Sequence, residues 1–204
     1  MKKVISKNSF TVLLILVSIS TMGQTKKDFK LFEKIYSAIL DDFKENPTNF
    51  VIVDSTTNNA IDKTDYSTYM SYFSVPARKG YSAEFILDSS WIHFLKEVEV
   101  KRQGLMPFPL PKIKSIHSLK KVKRNTISNA LKSNANSWTG FYNTFANTKG
   151  WIELSNVILS KNRDKAIVEL NHHGDSRTGA GNIYFLEKRK QKWVVVNSMQ
   201  TWIA

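Results

Sequence analysis

The chain has 204 residues, no cysteine, and a formal charge of +13 from 30 basic and 17 acidic residues. The missing cysteines exclude disulfides, thiol catalysis, thiolate zinc sites, iron–sulfur clusters and a cysteine-linked lipid anchor. A hydrophobic content of 42% excludes a disordered chain and suffices for a sizeable core.

Residues 1–23 have the three-part layout of a secretory signal peptide. Lys2, Lys3 and Lys7 form a positive head, Phe10 to Ile19 an uncharged apolar core, and Ser20-Thr21-Met22-Gly23 a short tail with small neutral residues at its third-last and last positions, with cleavage expected between Gly23 and Gln24. The apolar core has half the length of the ~20 residues that a spanning helix needs. The protein is therefore expected to be periplasmic or secreted. Residues 24–204 are expected to fold as a single α+β domain, held together by burial, with a charge of +10 once the three leader lysines are gone.

Within residues 26–45, Phe29, Phe32, Tyr36, Ile39 and Phe43 recur at spacings of three and four, which stacks them on one helix face, and Asn46-Pro47 stops the helix. Phe50 to Asp54 reads as a short strand. Residues 60–81 carry an aromatic-rich patch, Tyr66, Tyr69, Met70, Tyr72 and Phe73, compatible with a helix or a packed loop. A second helix is expected within 82–99, with Leu87, Trp91, Phe94, Leu95 and Val98 on one face and Ser82 or Ser89-Ser90 as its cap. His93, beside this stripe, reads as structural.

Pro107, Pro109 and Pro111 mark a loop, after which the basic segment Lys112 to Arg124 is expected to run on as a helix through Leu131. Asn136 or Ser137 caps a third amphipathic helix carrying Trp138, Phe141, Tyr142 and Phe145, ended by Gly150 in a left-handed conformation. From Trp151 the period changes to two. Four runs around Ile152–Ile158, Ala166–Leu170, Ile183–Leu186 and Trp193–Val196 read as an antiparallel meander, with the helices on one sheet face.

The tail carries Trp138, Phe141 and Tyr142, then Gly150, Ser155 and Val157, the strand Asp164-Lys165-Ala166-Ile167-Val168, then Gly179, Gly181, Lys192-Trp193 and Thr201-Trp202-Ile203. This pattern, over about a third of the chain, resembles a group of exported bacterial proteins of Bacteroidetes type. The resemblance implies export and an α+β meander, and it implies no site. The layout also resembles, at the level of fold, the bent-sheet cones of the nuclear transport factor 2 kind.

The densest polar cluster is His172-His173-Gly174-Asp175-Ser176-Arg177. Two histidines and a carboxylate are the groups of a zinc site or of acid–base chemistry. Adjacent strand residues point to opposite faces, however, so one compact site would need a bent backbone or residues from elsewhere, such as His93 or His117. No HExxH, P-loop or G-x-S-x-G pattern occurs, and the reading calls for no cofactor. Gly174, Gly179 and Gly181 read as turn or bulge glycines.

Between Glu99 and Glu153 there is no acidic residue but there are ten basic ones. Of these, Lys112, Lys114, Lys120, Lys121, Lys123 and Arg124, with Arg177 further on, are the candidate binding set for an anionic surface. Export and the scarcity of interleaved aromatics count against nucleic acid. The expected function is a non-enzymatic protein binding a small ligand or an anionic envelope surface. The alternative is a small pocket hydrolase or isomerase using His172 or His173 with a carboxylate such as Asp175.

Overall fold

The computed structural model describes residues 26–43, 45–57, 66–74, 87–102, 107–113, 119–175 and 177–204. The leader, Lys114, His117 and Ser176 lie outside the described residues.

Helix α1 (Lys26–Asp42) buries the face that its periodicity marks out: Phe32, Ile35, Tyr36, Ile39 and Leu40. A 3₁₀ turn, Pro47–Asn49, then redirects the chain. Asn46 caps it, its side-chain oxygen accepting from the Thr48 amide at 3.0 Å. Strand β1 (Phe50–Val53) follows, buried on both faces as its continuous apolar run requires.

Helix α2 (Tyr66–Ser74) lies within the aromatic-rich segment. Helix α3 (Ser89–Arg102) buries Trp91, Phe94, Leu95 and Val98. Its first turn is capped by Asp88 rather than a serine, the carboxylate accepting from the Trp91 amide at 2.9 Å. The Ser90 hydroxyl and then the Trp91 amide, both donating to it, stabilise the ionised form and hold the Asp88 carboxyl below its usual range.

The basic segment does not continue as one helix. Strand β2 (Lys120–Val122) precedes helix α4 (Arg124–Lys132). The segment 107–111 is a loop, as its prolines require, and it is docked on the 54–56 segment, with an isolated bridge between Pro109 and Ser55. Thr56 and Phe108 exchange backbone and side-chain hydrogen bonds, and the Leu110 amide donates to Asp54 O at 2.7 Å.

Helix α5 (Ser137–Thr144) starts at the expected cap, with the Asn136 side chain accepting from the Trp138 amide at 3.1 Å. It ends earlier than its pattern suggests. Asn147 takes the left-handed conformation (φ 63°), and Gly150 instead opens strand β3 (Gly150–Leu154) at φ 148°. A Cβ there would lie 1.8 Å from the His173 carbonyl oxygen, so only glycine fits. Strands β4 (Ile158–Leu159), β5 (Lys165–His173), β6 (Gly179–Arg189) and β7 (Lys192–Ile203) complete the chain.

The strands form one mixed, seven-stranded sheet in the order β2-β1-β3-β5-β6-β7, with β4 also paired to β5. The stretch read as a four-stranded meander is part of this larger sheet, and β1 adds to it in parallel with β2 on one side and β3 on the other. Strands β3 and β4 are two halves of one broken strand, since both lie antiparallel along β5, at Leu154–Leu170 and Ile158–Ile167. Ser155 bridges the break: its amide donates to Glu169 O at 2.9 Å, and its hydroxyl accepts from the Glu169 amide at 2.8 Å.

The helices cover both sheet faces, which corrects the one-sided packing expected. On one face α1 packs on Ile152, Leu154, Ala166, Val168, Leu170, Tyr184 and Leu186. On the other, α2 and α3 cover Ile167, Ile183, Phe185, Val196 and Met199, while α4 and α5 cover Val51, Val53 and Trp151. The α+β class stands.

Candidate functional site

His172 and His173 close β5, opposite Ile152 and Trp151 of β3. The strand alternation sends them to opposite faces, and the local backbone does not bend to reunite them. Each meets its own surroundings.

His173 shares its face with Trp151, Glu153 and Asn171, the alternate residues of β3 and β5. Its ring stacks on Trp151 with centroids 4.7 Å apart and leans on Trp202 at 5.3 Å; Trp151 in turn stacks on Trp138 of α5 at 5.2 Å. The Nε2 atom is buried without a hydrogen bond and lies 3.9 Å from Oε2 of Glu153. The other carboxylate oxygen, Oε1, accepts from Arg124 Nη1 at 2.8 Å. The Glu153 side chain is only 9% exposed, whereas that of Arg124 is 47% exposed. The carboxylate thus lies between a fixed guanidinium and an unpartnered imidazole nitrogen.

The other face repeats the arrangement. His172 packs edge-on against Phe43 and Phe50, with centroids 5.5 and 6.1 Å away. Its Nε2 lies 3.9 Å from Oε1 of Glu45, whose Oε2 accepts from Lys149 Nζ at 3.1 Å. Burial pushes both imidazoles below the usual histidine value, against the opposing pull of Glu45 on His172 and of Glu153 on His173; Arg124 and His172 add to the depression at His173.

Asp175 joins neither histidine. It is exposed and closes its own turn, accepting from the Arg177 amide at 2.8 Å and the Thr178 hydroxyl at 3.1 Å, which holds its carboxyl below the usual range. His93 is exposed on α3 and pairs with Glu97 at 3.0 Å. Among the described residues no three histidine or acidic side chains gather as a metal-binding group.

Glycines 179 and 181 are not left-handed; among the described residues Gly150 is the one glycine with a positive φ. They make room for Trp202. A Cβ on Gly181 would lie 2.2 Å from the indole Nε1, which donates to Asn171 Oδ1 at 2.7 Å. A bulge does follow Gly181, where the β6–β7 register shifts.

The basic stretch divides in two. Lys121 donates to the carbonyls of Leu110 and Pro111, both at 2.7 Å, and burial of its ammonium lowers its pKa. Arg124 and Lys149 are held by glutamates, and Lys101 by Glu97 at 2.6 Å. By contrast Lys112, Lys120, Lys123 and Lys132 are exposed and make no ion pair among the described residues. Lys120 opens the edge strand β2 and Lys123 follows it, where α4 begins. Arg177 is exposed on the β5–β6 turn.

Glu45, Glu153, Trp151 and Trp202 were not among the candidate site residues of the sequence, where Trp151 marked only a strand start and Trp202 only a motif. The signal that would have found Glu153 is register: once Trp151 is set opposite His173, Glu153 is its neighbour on the same face. The chain matches no protein-family model, no curated protein and no solved structure.

Proposed function

We propose that this is an exported, non-enzymatic protein that docks on an anionic envelope surface through the lysines around β2 and the start of α4. One observation carries the reading: Lys112, Lys120 and Lys123 are exposed in a stretch without acidic residues, and none of them is neutralised by a carboxylate among the described residues. Each lysine close to an anionic lipid surface contributes about 1 kcal/mol of attraction, within a Debye length of about 8 Å at physiological salt. Three or four together give binding without a pocket. Among the described residues no helix is long and apolar enough to cross a membrane.

Export by the leader, a periplasmic or secreted location, membership of the exported bacterial group and a bent sheet of the nuclear transport factor 2 kind belong to the same reading. The test is co-sedimentation with vesicles of phosphatidylglycerol and phosphatidylcholine in equal parts, across a salt series. The reading requires binding at low salt that falls steeply as salt rises. Absence of binding at low salt, or binding that ignores salt, overturns it.

A second reading, a pocket hydrolase or isomerase, has one specific support: the unpartnered Nε2 of His173 faces a buried carboxylate. The two are 3.9 Å apart, beyond hydrogen-bond reach, so an intervening group would have to complete the pair. His172 and Asp175 do not enter it: His172 lies on the opposite face, and the exposed Asp175 carboxylate bonds within its own turn.

A further inference from the structure

We infer that the end of β5 is an acid-responsive charge switch, in which two sequence-adjacent histidines on opposite faces of the sheet each add an uncompensated positive charge to the surface as the pH falls. The inference rests on a repeated geometry. Arg124–Glu153–His173 lies on one face and Lys149–Glu45–His172 on the other, each with a cation on one carboxylate oxygen and an imidazole nitrogen 3.9 Å from the other.

Each triad is electrically neutral while its histidine is neutral, because the carboxylate already balances the arginine or lysine. A proton taken from solvent turns the neutral imidazole into a cation, with both ring nitrogens as donors, that attracts the carboxylate. The carboxylate is then shared between two cations, and the triad carries +1. Arg124 and Lys149, with side chains 47% and 60% exposed, pass that charge to the surface.

No further charged group cancels the effect among the described residues. His172 is faced by Phe43 beyond α1, Phe50 of β1, and the Glu45 and Lys149 already named. His173 is faced by Trp151 and Glu153 of β3, Arg124 of α4 and Trp202 of β7, and the charge of the adjacent His172 opposes its protonation, so the two protons are taken up in separate steps. Tyr142 of α5 reaches only the Lys149 carbonyl, and its phenol is raised above its usual value by burial and Asp175, so it stays neutral. Burial explains why both histidines are neutral near pH 7, and opening the switch therefore takes mild acid rather than neutral pH.

Where the switch regulates docking, it rests on the surface-binding reading above, and the experiment separates the two. Binding of the full protein to the same vesicles is compared at about pH 7.5 and about pH 5, beside a side-chain nitrogen NMR titration without vesicles. The His172→Gln/His173→Gln double variant and a His93→Gln control are run in parallel. The expected result is about fivefold to tenfold tighter binding in acid for the wild type and the control, and little change for the double variant. In the titration, the Arg124 and Lys149 signals shift with the histidines. Arg124 and Lys149 signals that stay still while the histidines titrate overturn the switch, as does an equal acid gain in the double variant. Coupled shifts without vesicle binding at either pH uphold the switch and overturn the surface reading alone.

Discussion

Trp202 lies across Gly181: in the antiparallel register of β6 and β7 the two residues are partners, and the indole occupies the space a Cβ would need. The indole nitrogen reaches over the glycine to Asn171 of β5, tying the last strand to the one beyond its neighbour β6. The glycine is thus selected by a close approach of a side chain rather than by backbone conformation. Gly181→Ala is expected to displace the ring and leave Asn171 buried without its donor. The cost is about 2–4 kcal/mol, measurable by urea unfolding, with a matching change in tryptophan fluorescence. A smaller loss in Gly181→Ala than in an exposed-site control would show that the ring moves freely.

Tyr36 connects α1 to the break between β3 and β4, its fully buried hydroxyl donating to Ser155 O at 2.9 Å. Burial pushes the phenol well above its usual value, which keeps it protonated and a donor at neutral pH. Tyr36→Phe is expected to cost about 1–2 kcal/mol in equilibrium unfolding without loss of fold. An unchanged midpoint would mean that the Ser155 carbonyl finds another donor.

The helix stripes were legible from the sequence because they are local. Tyr36, Ile39, Trp91, Phe94, Phe141 and Phe145 are buried as their spacing requires. The partners of β2 were not legible. Lys120-Lys121-Val122 offers one apolar residue, and its parallel pairing with Val51–Val53 joins segments almost seventy residues apart. Nothing local favours such a pairing over a helix. The histidine pair was legible as a cluster and as a split across two faces. Its carboxylates were not, because Glu45 and Glu153 arrive through a turn and a strand register that only the folded sheet defines.

Stability should fall in mild acid. Both histidines have folded-state values below the unfolded value near 6.5, so between those values the unfolded chain takes up protons that the folded chain refuses. The contribution is fully present above pH ~6.5 and declines as pH falls toward the lower folded values, where it levels off. Urea midpoints measured from about pH 7.5 to pH 5 should show this acid limb in the wild type, and a flatter one in His172→Gln/His173→Gln. An acid limb of equal size in the variant would assign it to the carboxylates instead.

Docking rests on exposed lysines that pair with no carboxylate among the described residues. The most direct measurement is the salt dependence of vesicle affinity for the wild type beside Lys112→Gln/Lys120→Gln/Lys123→Gln. The unfolding midpoint should move little, since these side chains make no ion pair among the described residues and only Lys120 gives up a contact, its ammonium over the Phe145 ring at 5.5 Å, worth about 0.5–1 kcal/mol. The account predicts that the variant binds at least about tenfold more weakly at low salt, with a shallower salt slope. Equal affinity and equal slope in the two proteins would contradict it.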